Sequence, residues 1–474
     1  LALRRVTSPS QPSDENVVLD GPGAMDRVLQ YNFGYLPPRG SKTNLPLSML
    51  ATKRPLMDNG NGSLVRGNAK KVRAAPEQSE LDARCIGAVR VLSAEMVQQA
   101  NSGHPGAPMG CAPIAHVLWS KVMAYNPSDP AWANRDRFVL SNGHACALLY
   151  SMLHLSGYDL SLDDLKAFRQ FGSKTPGHPE VHVTPGVEVC TGPLGQGIAN
   201  GVGLAMASAH LGATFNREGY ELFDNFTYVL CGDGCMQEGV SGEACSLAGH
   251  LGLGRLIVLY DDNKITIDGS TDLSFSEDVS KRYESYGWQT LSVERGDTNV
   301  EGICAAIERA KAELSRPTLI KVATTIGYGS GKAGMASVHG APLGQADLAQ
   351  LKTKSGFDEA AQFAVPADVR AHYAAAGKAG EARARAWAAM GERYASAHAE
   401  LSAELRRRLA GELPADWRDA LPTWTPDDKA LATRQSSNAV LSAVAQAVPE
   451  LIGGSADLTP SNLTKFSGAV DFQA

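Results

Sequence analysis

From residue 186 to residue 325, apolar runs of strand length alternate with amphipathic stretches of helix length. That alternation is the pattern of a parallel α/β sheet, in which crossover helices join neighbouring strands. Strands are expected at 186–190, 226–231, 256–260, 289–293 and 319–324, each bounded by Gly, Asp or Asn, and helices at 197–212, 237–251, 278–286 and 299–315. Such sheets bind ligands in the crevice beyond the carboxyl ends of their strands, so the residues just after each run carry the most weight.

The 474 residues are enough for two to four domains. Residues 1–76 carry 11 Lys or Arg against five acids and are broken by Pro, Gly, Ser and Asn with no sustained hydrophobic period. They are expected to be a disordered or targeting extension. The acid-poor composition suits an organelle transit peptide, a tail of another kind would look alike, and the first residue is Leu1 rather than Met, so the true N-terminus is expected to be missing. Residues 77–366 are expected to form the main α/β domain. A helical linker follows at 367–428, with one long charge-laced helix over 367–410, and 429–474 read as the incomplete start of a second α/β domain, with a helix at 435–447 and a strand at 450–452.

The net charge of −6 gives no general basic field, which argues against nucleic acid as a partner. No apolar run approaches the ~18 residues of a membrane-spanning helix. The eight Cys include no C-x-x-C pair, so neither a disulfide framework nor a zinc site is signalled, and buried reduced thiols in an intracellular, non-secreted protein are expected.

Two strand ends carry the clearest chemistry. One run closes on Gly232-Asp233-Gly234 and the next on Asp261-Asp262-Asn263-Lys264-Ile265. Asp233 offers a carboxylate, Asn263 a side-chain carbonyl and Ile265 a backbone carbonyl, an all-oxygen set suited to Mg²⁺ or Ca²⁺ that must also hold phosphate oxygens. Gly234 has no Cβ to block an anion, and a helix starting near Gln237 is expected to aim free N–H groups at it. The other glycine-rich segments fit known phosphate loops poorly. Thr191-Gly192-Pro193-Leu194-Gly195-Gln196-Gly197 has its glycines in the wrong order for a dinucleotide fingerprint, and 327–332 is one residue short of a P-loop and has Ala333 where Ser or Thr would bind magnesium. The glycines of 327–331 read instead as a mobile lid.

His116, His154, His210, His250, His372 and His398 lie in helical patterns, where a satisfied structural role is the default. His104, His144, His178 and His339 instead sit in Gly-, Ser- or Pro-rich loops, a plausible proton-handling set for a polyhydroxylated substrate; capping or turn packing explains any one of them equally well.

Taken together, Ser102–Pro108, Leu140–Ala145, Thr191–Gly197, Gly232–Cys235, Asp261–Asn263, Ser337–Gly340 and Gly453–Thr459 closely resemble transketolases, in the family's order, over nearly all of 78–474. The resemblance implies thiamine diphosphate and Mg²⁺ (or Ca²⁺) as cofactors, and transfer of a two-carbon ketol unit from a ketose phosphate to an aldose phosphate, as in the pentose phosphate pathway or the Calvin cycle. It implies metal ligation by Asp233, Asn263 and Ile265, and cofactor contacts from His144, Gly192, Pro193, Leu194, Gly234, Glu238, Asn263, His339 and Asp457. His104, His144, His178 and His339 would be the catalytic imidazoles. Substrate contacts would come from His104, His178, His339, Arg434 and Ser461. The resemblance also implies a homodimer whose site is shared between subunits, in the cytoplasm or the plastid stroma. The Arg-Glu-His segment that holds the family's pyrimidine-activating Glu does not occur in this sequence. The chain is therefore expected to be an incomplete fragment of a transketolase and inactive alone. Dihydroxyacetone synthase and a catalytically silent cofactor- or partner-binding protein are the alternatives.

Overall fold

The computed structural model describes residues 76–455 and 457–473, with side chains from Glu80 onward, so the extension expected at 1–76 lies outside the described residues but for Pro76. The described chain forms two compact units, 76–409 together with 470–473, and 410–469. In the larger unit the elements that matter here are helices α1 (Pro76–Ala100) and α2 (Gly106–Val117), strand β1 (Arg137–Leu140), α3 (Cys146–Leu155), α4 (Gln196–Phe215), β2 (Thr227–Gly232), α5 (Asp233–Gln237) and α6 (Gly239–His250). Then come β3 (Leu256–Asp262), the small hairpin β4 (Ile265–Thr266) and β5 (Gly269–Ser270), β6 (Gln289–Val293), α7 (Val300–Ala312), β7 (Thr318–Ala323), α8 (Ala367–Ala397) and α9 (Ala399–Leu409).

Strands β1, β2, β3, β7 and β6, in that spatial order, form a five-stranded sheet that is parallel throughout. The expected α/β architecture is what the chain adopts. Central strands β2 and β3 are buried on both faces, which explains their unbroken apolar runs. Side chains at alternate positions feed two cores. Tyr228, Leu230, Ile257, Leu259 and Ile320 face α1, α2 and α3, while Val229, Cys231, Val258, Tyr260 and Leu319 face α4 and α6. Helix α4 lies close on the sheet because Gly197 and Gly201 carry no side chain: a Cβ on Gly201 would come within 2.4 Å of Val229.

Four differences from the sequence reading have physical causes. The strand expected at 186–190 is irregular backbone: Thr191 N–H donates to Pro179 O at 3.3 Å and Val181 N–H to Cys190 Sγ at 3.3 Å, so the segment pairs with a neighbouring loop. The sheet's edge is instead β1, whose four residues are too short to show a period. The helix expected at 237–251 starts earlier, at Asp233, and breaks at Glu238, where ψ is 135°. Gln237 therefore ends a short helix and cannot be the helix start that faces an anion. The single helix expected over 367–410 is two, interrupted at His398 (φ −137°), and α8 is part of the larger unit, with Val369 and Tyr373 in its core.

In the smaller unit, α10 (Thr433–Ala447) carries Asn438, whose Nδ2 donates to Leu463 O at 2.7 Å and Lys465 O at 3.0 Å, and Gln446, which donates to Ser467 O at 2.9 Å. The strand expected at 450–452 is turn and coil. Among the described residues no helix is long and apolar enough to cross a membrane.

Candidate cofactor and metal site

Strands β2 and β3 are neighbours with Gly232 opposite Asp261, so Asp233 and Asn263 leave the same edge of the sheet from adjacent strands. The Asp233 carboxylate is buried; one oxygen accepts the Tyr260 hydroxyl hydrogen, and the other, Oδ2, is buried without a hydrogen-bond partner. Burial pushes its pKa up to about 7; the Tyr260 hydrogen bond opposes that, and the nearby Asp261 and Asp262 add to it. A carboxylate oxygen so placed is short of a cation. Asp262 already has two, with Lys264 Nζ at 2.6 Å and Lys321 Nζ at 3.5 Å.

Asn263 is held from both ends. Its Nδ2 donates to Asp261 Oδ2 at 2.7 Å, and its Oδ1 accepts Ile265 N–H at 2.9 Å. Lys264 takes a left-handed turn, φ 65°, that folds Ile265 back beside Asn263. Asp261, itself fixed by the Thr324 hydroxyl, thereby decides which end of the amide is oxygen. The oxygens of Asp233, Asn263 and Ile265 fit a hard divalent cation, the buried unpartnered Oδ2 being the observation that asks for one.

Three loops close around these turns. A Cβ on Gly143 would lie 2.6 Å from Thr191 Oγ1 and 2.8 Å from Gly192 N, so the backbones of 141–145 and 191–197 nearly touch, and one on Gly234 would lie 2.7 Å from Leu194 Cδ1, so the Leu194 side chain covers 232–234. Gly195, at φ 77°, caps α4, where a Cβ would meet Glu238 at 2.6 Å; Glu238 thus sits against the loop with its side chain exposed. Thr191 Oγ1 and Asn142 Oδ1 are buried on these loops and, like Asp233 Oδ2, have no hydrogen-bond partner. Buried polar atoms are rarely left so, and a polyanion with its cation would satisfy such atoms.

Three of the four loop histidines meet. Ring centroids lie 5.0 Å apart for His104 and His144, 5.0 Å for His144 and His339, and 5.6 Å for His104 and His339. His178 lies against Gly192, its ring 3.4 Å from where a Cβ there would be. Burial, then the neighbouring imidazoles, holds His144 down at about 3; burial, His339 and Arg169 hold His104 at about 4. Burial and Arg169 lower His178, and burial lowers His339, whose Nδ1 is a further buried atom with no hydrogen-bond partner. The set is therefore neutral at pH 7 and able to accept protons.

Arg169 is the site residue the sequence did not reveal. Its guanidinium lies 3.5 Å from His104 Nδ1 and donates to Ser102 Oγ at 3.0 Å and Gly177 O at 3.3 Å, tying two histidine loops together. No spacing marks it, since it sits in an ordinary Phe-Arg-Gln-Phe stretch. Tyr260 was equally hidden as the apparent end of an apolar strand. The glycines expected to form a lid are tied down: Gly327 N–H donates to Gly106 O at 2.9 Å and Gly331 N–H to Asp347 Oδ1 at 2.7 Å. Arg434, Ser461 and Asp457 belong to the smaller unit, where Arg434 Nη1 donates to Ser461 O at 3.4 Å and all three side chains are exposed.

Residues 81–414 match the family model described as transketolase, thiamine diphosphate binding domain. Transketolase 1 of Saccharomyces cerevisiae is 59% identical over 396 residues, 83% of this chain and 58% of the yeast protein; the chloroplastic transketolase-1 of Arabidopsis thaliana is 50% identical over 412 residues, 86% of this chain and 56% of the plant protein. The crystal structure of Pichia stipitis transketolase in complex with sedoheptulose 7-phosphate superposes with a TM-score of 0.81 at 56% identity, covering 83% of this chain and 58% of that one. The chain thus spans a little under three fifths of the length of these relatives. With identities of this size over the whole of the sheet and its loops, this chain belongs to the transketolase family, in its thiamine diphosphate-binding domain.

Proposed function

We propose that this protein is a transketolase: it moves a two-carbon ketol unit from a ketose phosphate to an aldose phosphate, with thiamine diphosphate and a divalent cation, Mg²⁺ or Ca²⁺, as cofactors. The observation that carries the reading is the convergence, on one sheet edge, of an unpartnered buried carboxylate oxygen at Asp233, an oriented Asn263 amide and a cluster of neutral imidazoles. Asp233, Asn263 and the Ile265 carbonyl hold the cation; Gly192, Pro193, Leu194, Gly234 and the start of α4 frame the diphosphate, with His144, Glu238, His339 and Asp457 as further cofactor contacts.

When bound, thiamine diphosphate supplies a carbon nucleophile and electron sink. This chain's residues contribute binding, positioning and proton transfer. His104, His178 and His339 contact the sugar's carbonyl and hydroxyl groups. A neutral imidazole takes the proton from the hydroxyl beside the breaking C–C bond and returns it when the acceptor aldehyde is joined. Burial keeps these rings unprotonated, and Arg169 adds to it at His104 and His178. Arg434 and Ser461 grip the sugar phosphate, where a guanidinium suits a dianion. The reading includes a homodimer with shared sites, in the cytoplasm or plastid stroma; the chloroplastic relative and the basic leader support the second compartment.

The test, on a protein of the relatives' full length, is calorimetry of thiamine diphosphate binding in the presence and absence of Mg²⁺, with a ketol-transfer assay offering a pentose phosphate or formaldehyde as acceptor. Metal-dependent binding that Asp233→Ala abolishes, and transfer to the pentose phosphate, are expected. Binding indifferent to Mg²⁺ and to Asp233 would remove the metal assignment, and preference for formaldehyde would make the enzyme a dihydroxyacetone synthase.

A further inference from the structure

We infer that the larger unit carries a second, independent cation site, made by Cys85 on α1, His116 on α2 and His372 on α8, which takes a borderline-soft divalent transition metal of the Zn²⁺ class. The Cys85 sulfur and one ring nitrogen from each histidine lie within 4.8 Å of one another. Cys85 and His116 are fully buried, and His372 is half-buried.

The chemistry of the set is unlike that of the Asp233 site. One thiolate and two imidazoles favour Zn²⁺, Co²⁺ or Cu²⁺ over Mg²⁺ or Ca²⁺. His372 Nε2 is buried with no hydrogen-bond partner, a cost that coordination would relieve. His116 is already oriented as a metal-bound histidine usually is. Its Nε2 lies 2.9 Å from the Asp82 carboxylate, which can only accept, so the ring proton is on Nε2 and the lone pair is on Nδ1. There the Tyr373 hydroxyl sits 2.9 Å away and is the group an ion displaces. Asp82 also pairs with Lys121 at 3.0 Å, so the lysine's charge is matched by a carboxylate and does not stand alone against an incoming cation. Bonds of about 2.0 to 2.3 Å space tetrahedral ligands by about 3.5 Å, so closure needs inward shifts of about 1 Å, small enough for side-chain torsions. A water completes the coordination. On binding, the Cys85 thiol gives its proton to solvent as its sulfur bonds the metal, one proton per ion.

Such an ion would pin α8 to α1 and α2, from which it lies far along the chain. It escapes a motif search because Cys85, His116 and His372 share no short spacing.

The test is titration of the full untagged chain with Co²⁺, followed by absorption spectroscopy, with Zn²⁺ as competitor. One equivalent of Co²⁺ is expected to give a thiolate charge-transfer band in the near ultraviolet that Zn²⁺ bleaches, and Zn²⁺ is expected to raise the melting temperature. Cys85→Ser should lose the band, and His372→Gln, at a half-exposed position that tolerates change, should weaken Co²⁺ binding at least tenfold. Asp233→Ala should keep the band, because an all-oxygen site produces none, so failure here is distinct from failure of the thiamine diphosphate reading. No band at ten equivalents would overturn the proposal, as would a band that survives Cys85→Ser but vanishes in Cys190→Ser, the exposed thiol. An undiminished affinity in His372→Gln would do the same.

Discussion

The Asp233 carboxyl should make the metal-free protein less stable as pH rises, and Asp233→Asn should cancel that loss. A carboxyl whose pKa is raised by folding binds its proton more tightly in the folded chain than in the unfolded one. Its protonated form is therefore compatible with folding below pH 3.8, and folding loses free energy as pH climbs from 3.8 through about 7. At about 1.4 kcal/mol per pH unit, that interval corresponds to about 4 kcal/mol, with little solvent screening because the side chain is buried. Asparagine keeps an oxygen for the Tyr260 hydroxyl and never ionises, but it buries an unpartnered N–H of its own, which costs about 1 to 3 kcal/mol at every pH. The diagnostic quantity is consequently the pH dependence of the difference between variant and parent, in which that constant cancels. Urea unfolding of the chelator-treated proteins at pH 4, 5, 6, 7 and 8 should show the variant gaining about 4 kcal/mol on the parent across the series. Saturating Mg²⁺ at pH 8 should return the parent's loss and leave the variant unchanged. A difference flat within about 1 kcal/mol from pH 4 to 8 would refute the idea that this carboxylate is held short of a counter-ion.

Further tests probe the supports of the site. Arg169→Gln should raise the pKa values of His104 and His178, since a nearby positive charge is one of the causes that lower them after burial; NMR titration of the ring signals would read the change, and unmoved values would remove Arg169 from its assigned role. Gly195→Ala puts a side chain at φ 77° and within 2.6 Å of Glu238, so a loss of at least about 2 kcal/mol in urea unfolding is expected, together with weaker thiamine diphosphate binding by calorimetry. Lys352→Met strands the Glu95 carboxylate, which is buried 2.7 Å from the Lys352 ammonium; a loss of about 3 to 5 kcal/mol should be largely recovered by adding Glu95→Gln, whereas equal losses in the single and double variants would argue that the pair acts by packing alone.

How much of this was legible in the sequence depended on whether the physics was local. Strands β2 and β3 showed themselves because burial on both faces forces unbroken apolar runs, and Asp233 and Asn263 followed because a polar residue directly after such a run must sit at the sheet's edge. The four histidine loops were visible as glycine- and proline-rich turns, and three of the rings do meet. By contrast, 186–190 alternates apolar and polar residues as a half-buried strand would, yet Gly186 turns left-handed at φ 89° against Tyr158 and the segment pairs with a loop. The break at His398 carries no proline or glycine to announce it. What stayed hidden were the groups that act on another residue across the fold. Tyr260 satisfies one oxygen of Asp233 and leaves the other bare, Asp261 turns the Asn263 amide, and Arg169, after burial, helps to keep His104 and His178 unprotonated from a loop of its own. A donor atom announces itself by its type and its place after a strand; its charge state and orientation are set by neighbours that only the folded chain brings near. The cation that the sequence placed at Asp233 is thus matched in three dimensions by an oxygen with no other partner, the lysines beside it being already committed to Asp262.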